Sequence, residues 1–370
     1  MQSPTRMWWI GLAALSMTAC GASEDQRPAA PKPESEPELR AEREVEEASG
    51  DLLLVVNKGA ASVSFVDPDA EAVIGEVEVG EGPHEVAASP DGELAVVTNY
   101  GTQHAEGASL SVIDVSAREV VRTIELGEHR RPHGVAWLPD GSEVLVTAEG
   151  SRHLLCVDPR AGEITCEIPT EQEISHMVAI TPDGARAFVA NIGSGTATAI
   201  DLSERAKLDD IATGAGAEGV AVSPDGAEVW VTNRAADTVS IVDVTTLEVE
   251  AELSSSQFPI RAHITEDGAH VLVTNARSGT LAVFDRQARA LRADVDMGIE
   301  PAEPDDERVL GHFENTTLPI GVVTDARGER AYIAHALSDL VSILDMETLE
   351  TIGTIEVGTE PDGMAYVPEP

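Results

Sequence analysis

The sequence predicts an all-β fold, a seven-bladed β-propeller closed by pairing of N-terminal B–D strands with a C-terminal A strand. Three observations predict it. The turn Pro-Asp-Gly begins at residues 90, 139, 182 and 224, at intervals of 42 to 49 residues, which is the length of a propeller blade. Short runs of Val, Ile, Leu and Ala alternate with polar residues around each turn, and helical periodicity is rare. The two ends of the repeating region are complementary fragments of one unit.

The unit is clearest around Pro224-Asp225-Gly226. Gly219-Val220-Ala221-Val222 enters the turn and Glu228-Val229-Trp230-Val231-Thr232-Asn233 leaves it. Thr238–Asp243 and Glu248–Leu253 supply two further strands. Glu266-Asp267-Gly268 and Ala326-Arg327-Gly328 are degenerate copies of the turn. Proline presets φ, aspartate bonds locally and glycine takes positive φ, so the motif is turn chemistry and carries no function. Labelling the strands A to D from the centre outward, A strands begin near residues 84, 133, 176, 218, 260, 320 and 362, which makes seven. The repeat region opens on Leu52–Asn57, a B strand, and finishes on Asp362–Val367, an A strand. Joining them completes one blade and removes the open sheet edge.

Val97-Thr98-Asn99, Val231-Thr232-Asn233 and Val273-Thr274-Asn275, each following an Asp-Gly turn, resemble the YVTN-repeat β-propeller family. The resemblance spans about residues 52–367. It implies a surface-layer or periplasmic binding protein; related seven-bladed propellers include lactonases and the heavy chains of quinoprotein amine dehydrogenases.

Arg6 precedes an apolar run, Met7–Met17, that contains Trp8, Trp9, Ile10, Leu12 and Leu15. Such a run is too short for a hydrocarbon core that needs ~20 residues, and reads as an export signal. Its end, Met17-Thr18-Ala19-Cys20-Gly21, resembles a bacterial lipoprotein signal, with methionine in place of the more usual leucine. That resemblance implies a signal peptide over 1–19, lipidation at Cys20, and attachment of an extracytoplasmic protein to the cell envelope, at the outer membrane or a periplasmic face. An ordinary cleavable signal with an incidental cysteine is the alternative. Residues 20–50, rich in Glu, Pro, Ala and Arg, cannot bury enough apolar surface to fold and read as an acidic tether. The propeller takes 51–370.

Aromatic residues make up 3% of the chain, so the core must be aliphatic. The formal charge of −42 repels phosphate backbones and anionic lipid surfaces, so no nucleic-acid partner is expected, and contact with the membrane is expected through the Cys20 lipid alone. A monomer is expected. Cys156 and Cys166 flank the turn Pro159–Gly162 on two antiparallel strands. They read as a disulfide in an oxidising compartment or as two buried thiols.

Antiparallel order puts the starts of the A strands and the B-to-C turns on one face, around one mouth of the central channel. The first A-strand positions are His84, His133, His176, Glu218, Ile260, Ile320 and Asp362, with Arg261 one place on. The B-to-C side adds Glu149, Arg234 and His335, along with Asn57, Lys58 and Tyr100. Two insertions reach the same face: Gln103–Glu106, and Ile299–Thr317 with His312 and Phe313. Three functions fit. The mouth binds a small molecule or an envelope protein, with no catalysis. Alternatively His84, His133 and His176 ligate copper, zinc or iron, joined by Glu218 or Asp362. In the third reading His133, Glu218 and Arg261 hydrolyse a lactone, a base and an oxyanion donor around one channel, by analogy of fold. A polar ring also serves merely to hydrate the channel. No Gly-x-Ser-x-Gly, phosphate loop or Cys-x-x-Cys-His supports other chemistry. The asparagine after Val-Thr is expected to cap its own turn, and His129, His153 and His270 to lie at the surface.

Overall fold

The structure, a computed structural model, describes residues 50–300, 313 and 315–369. The expected signal peptide, Cys20, the tether up to residue 49, and His312 lie outside the described residues. The described chain forms 28 strands in seven four-stranded antiparallel sheets, with no helix among the described residues. Blade 1 joins strand A, Pro361–Val367, to strands B, C and D at Leu52–Asn57, Ser62–Asp67 and Ala72–Glu78. Blades 2 to 7 start at A strands Pro83–Ala88, Pro132–Trp137, Ser175–Ile180, Ala217–Val222, Pro259–Ile264 and Pro319–Thr324, and continue outward in chain order.

The closing ladder pairs Leu52 with Val367, Leu53 with Tyr366, Leu54 with Ala365 and Val55 with Met364. Asp51 locks it from outside, accepting the Tyr366 hydroxyl at 2.6 Å and the Glu369 N–H at 2.7 Å. The B strand here is buried on both faces, Leu53 through Val56 fully, because a neighbouring blade packs on each side. D strands lie outermost and alternate buried with exposed, as in Thr351–Glu356. Valine and isoleucine fill these flat interfaces, and aromatic contacts such as Trp230 with Phe284, 5.9 Å between ring centroids, are few. In the turns, Asp91, Asp140, Asp183, Asp225 and Asp267 each accept the N–H two residues on, and the glycine adopts positive φ, +71° at Gly92. Cys156 and Cys166 stand opposite each other on strands C and D of blade 3 and are joined by a disulfide.

Three local devices aim the A strands at the axis. The residue before each A strand is left-handed in all seven blades, whether glycine (Gly82, Gly216) or not (Arg131, Ile174, Phe258, Leu318, Glu360). Each A strand then carries a bulge against strand B at its first residues, as between Pro83 and Val86. A bulge re-aims side chains, so two successive residues can face the channel. Finally, a threonine near the end of strand B ties neighbouring A strands together in several blades. Thr98 accepts the N–H of Glu85 at 3.1 Å and donates to the carbonyl of His133, on the next blade, at 2.8 Å. Thr147 repeats this with Gly134 and His176, and Thr232 with Gly219 and Ile260. The strands run so close that a Cβ on Gly134 would lie 2.6 Å from the His176 carbonyl oxygen.

The asparagines do more than cap their own turns. Asn99 donates to Ser109 and Ser111 on strand C, at 3.0 and 3.1 Å, and accepts the N–H of Gly80 from the D-to-A connection. Asn57 does the same with Ser62, Ser64 and Gly358. A fully buried amide needs several partners, and one turn does not supply them.

Arg261 fills the centre of the ring. Its guanidinium lies 2.6 Å from Glu85 of blade 2, 3.6 Å from Glu218 of blade 5 and 3.7 Å from Asp362 of blade 1, and only 7% of the residue is exposed. Asp362 also meets Lys58 at 3.0 Å and Glu218 meets Arg234 at 2.7 Å, whereas Arg261 is the one cation paired with Glu85 among the described residues. Burial pushes the Glu85 carboxyl up in spite of Arg261. Desolvation therefore outweighs attraction, and the pair fixes geometry more than it adds stability. Arg261→Met is expected to cost about 3–5 kcal/mol in urea unfolding by stranding Glu85, while Arg261→Met with Glu85→Gln returns to within about 1 kcal/mol of the native chain. A double variant as unstable as the single one refutes this account.

On the opposite face, hydrogen bonds from Arg286 and Ser223 hold the Asp225 carboxyl down at about 2. A lowered folded value means a contribution present above the unfolded value near 3.8 and lost as pH falls through about 2. Because Asp225 is 55% exposed, Asp225→Asn is expected to cost less than about 1 kcal/mol near neutral pH. The difference should close between pH 4 and 2 in denaturant melts, and a constant difference across that window contradicts the assignment.

Candidate functional site

The bulged A-strand starts converge on a cavity of about 370 Å³ at the mouth predicted from the repeat. It is lined by His84, His133, His176, Glu218, Arg234, Arg261 and Asp362, all expected from the sequence, together with Lys58. These form one polar wall. Phe258, Ile260, Ala276, Phe313, Leu318 and Ile320, from the blade 6 and blade 7 side, form an apolar wall opposite. A groove of about 430 Å³ lies on the other face, lined by the turn residues Thr181–Asp183, Asp225 and Gly226 already accounted for.

The three imidazoles form a stack around the ring. His84 lies 4.8 Å from His133 and His133 lies 3.6 Å from His176, between ring centroids, with Tyr100 set 4.2 Å from His84. Their environments differ. His84 donates from Nδ1 to the Gly82 carbonyl at 2.9 Å, which leaves Nε2 as its basic nitrogen. Burial and the nearby Lys58 ammonium push it down to about 3. His133 is 2% exposed and is held well below its ordinary value by burial and by its charged neighbours, and its Nδ1 has no hydrogen-bond partner among the described residues. His176 is the contrast. Burial alone would lower it, but Glu149 lies 2.6 Å from Nδ1 and Glu218 lies 3.3 Å from Nε2, and the two carboxylates raise it. The mouth therefore holds two imidazoles whose proton affinity is lowered beside one in which it is raised. Glu218 and Asp362 stay ionised; burial works against them, but His176 and Arg234 outweigh it at Glu218, and Lys58 and Arg261 at Asp362.

Glu149 stands behind His176 and is fixed by the Tyr100 hydroxyl at 2.7 Å. The donor atoms of His133, Glu149 and His176 lie within 4.8 Å of one another, whereas those of His84 fall outside this group. The triple of His84, His133 and His176 expected as a metal site is therefore not the cluster that forms. His335 also departs from expectation. It is fully buried, engages Thr317 and Ser342 at 2.8 Å through its two nitrogens, and stands where other blades carry the asparagine. It belongs to the blade interface. His129 likewise is buried, against Ser151 at 2.8 Å, and His153 and His270 are half-buried.

Two features escaped the sequence reading. Glu85 is the third residue of its A strand, after His84, and reaches the channel through the bulge, a shift that a plain alternating strand does not encode. The apolar wall is built largely from Phe258 and Leu318, in D-to-A connections. Large apolar residues in connections that are otherwise polar were the available signal. Arg277 lies over both aromatic rings, 4.6 Å from Phe258 and 5.7 Å from Phe313, and Arg234 lies 5.1 Å from Phe258.

Comparison with known proteins places these features in context. A family described as "Lactonase, 7-bladed beta-propeller" matches residues 45–293. No curated protein matches the chain. Among solved structures, a chain of Kuenenia stuttgartiensis hydrazine synthase is 21% identical, with 76% of this chain and 88% of that one covered and a TM-score of 0.63. A functionally unknown protein from Desulfotomaculum acetoxidans is 16% identical, with 86% and 99% covered and a TM-score of 0.70. At such identities these two share the fold alone. Since the family match takes in well over half of the residues and the sheets close as seven blades, the chain belongs to the lactonase seven-bladed β-propeller family.

Proposed function

We propose that the chain binds a small amphipathic molecule at the channel mouth. The observation that carries this reading is the buried Nδ1 of His133, which lines a two-walled cavity and has no partner among the described residues. A buried nitrogen left unpaired costs about 1–3 kcal/mol, which a ligand donor would recover. The cavity is of small-molecule size. The polar end of the ligand meets His84, His133 and Lys58, and its apolar end meets Phe258, Phe313 and Leu318. Arg234 and Arg277, set against Phe258, favour a carboxylate or ester oxygen at the boundary between the walls. The lipoprotein-like segment Met17–Gly21 supports a setting in the cell envelope, with the propeller carried on a lipid at Cys20.

Ring opening of a lactone is the second reading, favoured by the family match. Of the residues first suggested for it, His133 has an Nδ1 without a partner among the described residues and serves as the general base on water. Glu218 is engaged by His176 and Arg234, and Arg261 by Glu85, so they hold the site's shape and charge. Arg277, 4.6 Å from the Phe258 ring on the apolar wall, is then the cation for the developing oxyanion.

The test is a series of γ- and δ-lactones of increasing chain length with the matching hydroxy acids, followed by thermal shift and by base uptake. Some members should stabilise the native chain, with affinity rising along the series and falling about tenfold in Phe258→Ala. Acid release that disappears in His133→Asn selects hydrolysis; binding without release selects the binding module. No stabilisation by any member, or an unchanged response in both variants, overturns the site.

A further inference from the structure

The cluster of His133, Glu149 and His176 answers to a different ligand from the amphipathic one. Its members come from adjacent blades: His133 from strand A of blade 3, Glu149 from the end of strand B of the same blade (Val144–Ala148), and His176 from strand A of blade 4. Their donor atoms lie within 4.8 Å of one another. Bond lengths of about 2.0–2.2 Å to nitrogen and carboxylate oxygen need donors about 3–4 Å apart, so the widest pair closes by about 1 Å, while Glu149 and His176, hydrogen-bonded at 2.6 Å, move apart and release the proton between them.

Three further observations fit a bound ion. The buried Nδ1 of His133 has no partner among the described residues, and the His133 ring lies 3.6 Å, between centroids, from that of His176. The second oxygen of Glu149 accepts the Tyr100 hydroxyl at 2.7 Å, the kind of outer support that orients metal-bound carboxylates. The backbone beneath is rigid, because Thr147 ties the strand carrying His133 to the carbonyl of His176 at 2.6 Å. We infer that His133, His176 and Glu149 form a binding site for one divalent first-row transition ion, zinc or iron, with its remaining positions open toward the cavity. Two imidazoles and one carboxylate suit these ions better than magnesium or calcium, which take oxygen donors. His84, whose basic Nε2 is presented from the neighbouring blade, then lines the open side.

The site shares His133 and His176 with the proposed ligand pocket, and an ion held by the Nδ1 of His133 would take the place there of a donor from the organic ligand. Metal titration uses no organic ligand and the lactone series no added metal, so either can fail without the other. The experiment takes the mature chain purified without an affinity tag, depleted with chelator, and titrated with Zn²⁺ and with Co²⁺ as a spectroscopic probe. One equivalent of Zn²⁺ is expected to bind, and Co²⁺ to give visible bands of a mixed nitrogen–oxygen site. Glu149→Gln and His133→Ala should abolish binding while circular dichroism shows an intact sheet. Tyr100→Phe keeps every ligand and is expected to weaken Zn²⁺ about 10- to 100-fold, a readout that survives if the ligand variants fail to fold. His104→Ala, in the exposed loop of blade 2, should leave binding unchanged. Absence of stoichiometric binding to the depleted native chain, binding undisturbed by Tyr100→Phe and Glu149→Gln, or loss in His104→Ala each overturns the site.

Discussion

The backbone ladder between Leu52–Asn57 and Pro361–Val367 is the constraint on which the rest of the molecule depends. It seats the last A strand inside the first three strands of the chain, so the ring has no free inner edge. Only a closed ring brings Asp362 within reach of Lys58 and Arg261, and only then do the carboxylates of blades 1, 2 and 5 surround one guanidinium. The mouth is thus a product of long-range contact. Residues 304 positions apart in the chain form its closest lysine–aspartate pair.

Electrostatics divides the mouth into parts with different tasks. The axis holds a dense set of opposite charges that are buried and set against one another, an arrangement suited to holding shape. Off the axis, burial holds His133 and His84 below the ordinary imidazole value, while Glu149 and Glu218 raise His176 between them. Beyond them the surface turns apolar at Phe258 and Leu318. A molecule settling here meets hydrogen-bonding capacity on one side and desolvated rings on the other, in a protein whose overall charge is −42. Arg234 and Arg277 supply local positive charge against that acidic background.

Much of this was legible in the residues. The Pro-Asp-Gly period, the complementary ends and the first A-strand positions give the seven blades and gather His84, His133, His176, Glu218 and Asp362 on one rim. What stayed hidden has physical causes. Glu85 reaches the channel through a bulge, and bulges leave no fixed mark in a short strand. His335 looks like a rim residue by position but takes the buried place of an asparagine, since its two ring nitrogens satisfy the same kind of hydroxyl partners. The left-handed residue before each A strand is glycine in two blades and Arg, Ile, Phe, Leu or Glu in the other five, so composition alone does not betray it.

The threonine bridges have an implication for how such a rim changes over time. Thr98, Thr147 and Thr232 hold the A strands they bridge, those of blades 2 to 6, through main-chain atoms alone, without touching the side chain that the strand displays. The displayed residue is therefore uncoupled from the scaffold that presents it. Histidine, glutamate, isoleucine and aspartate already occupy equivalent places on successive blades. A rim of this kind is a row of sockets of common gauge, in which single substitutions can rewrite what is recognised while leaving the wheel that carries them unaltered.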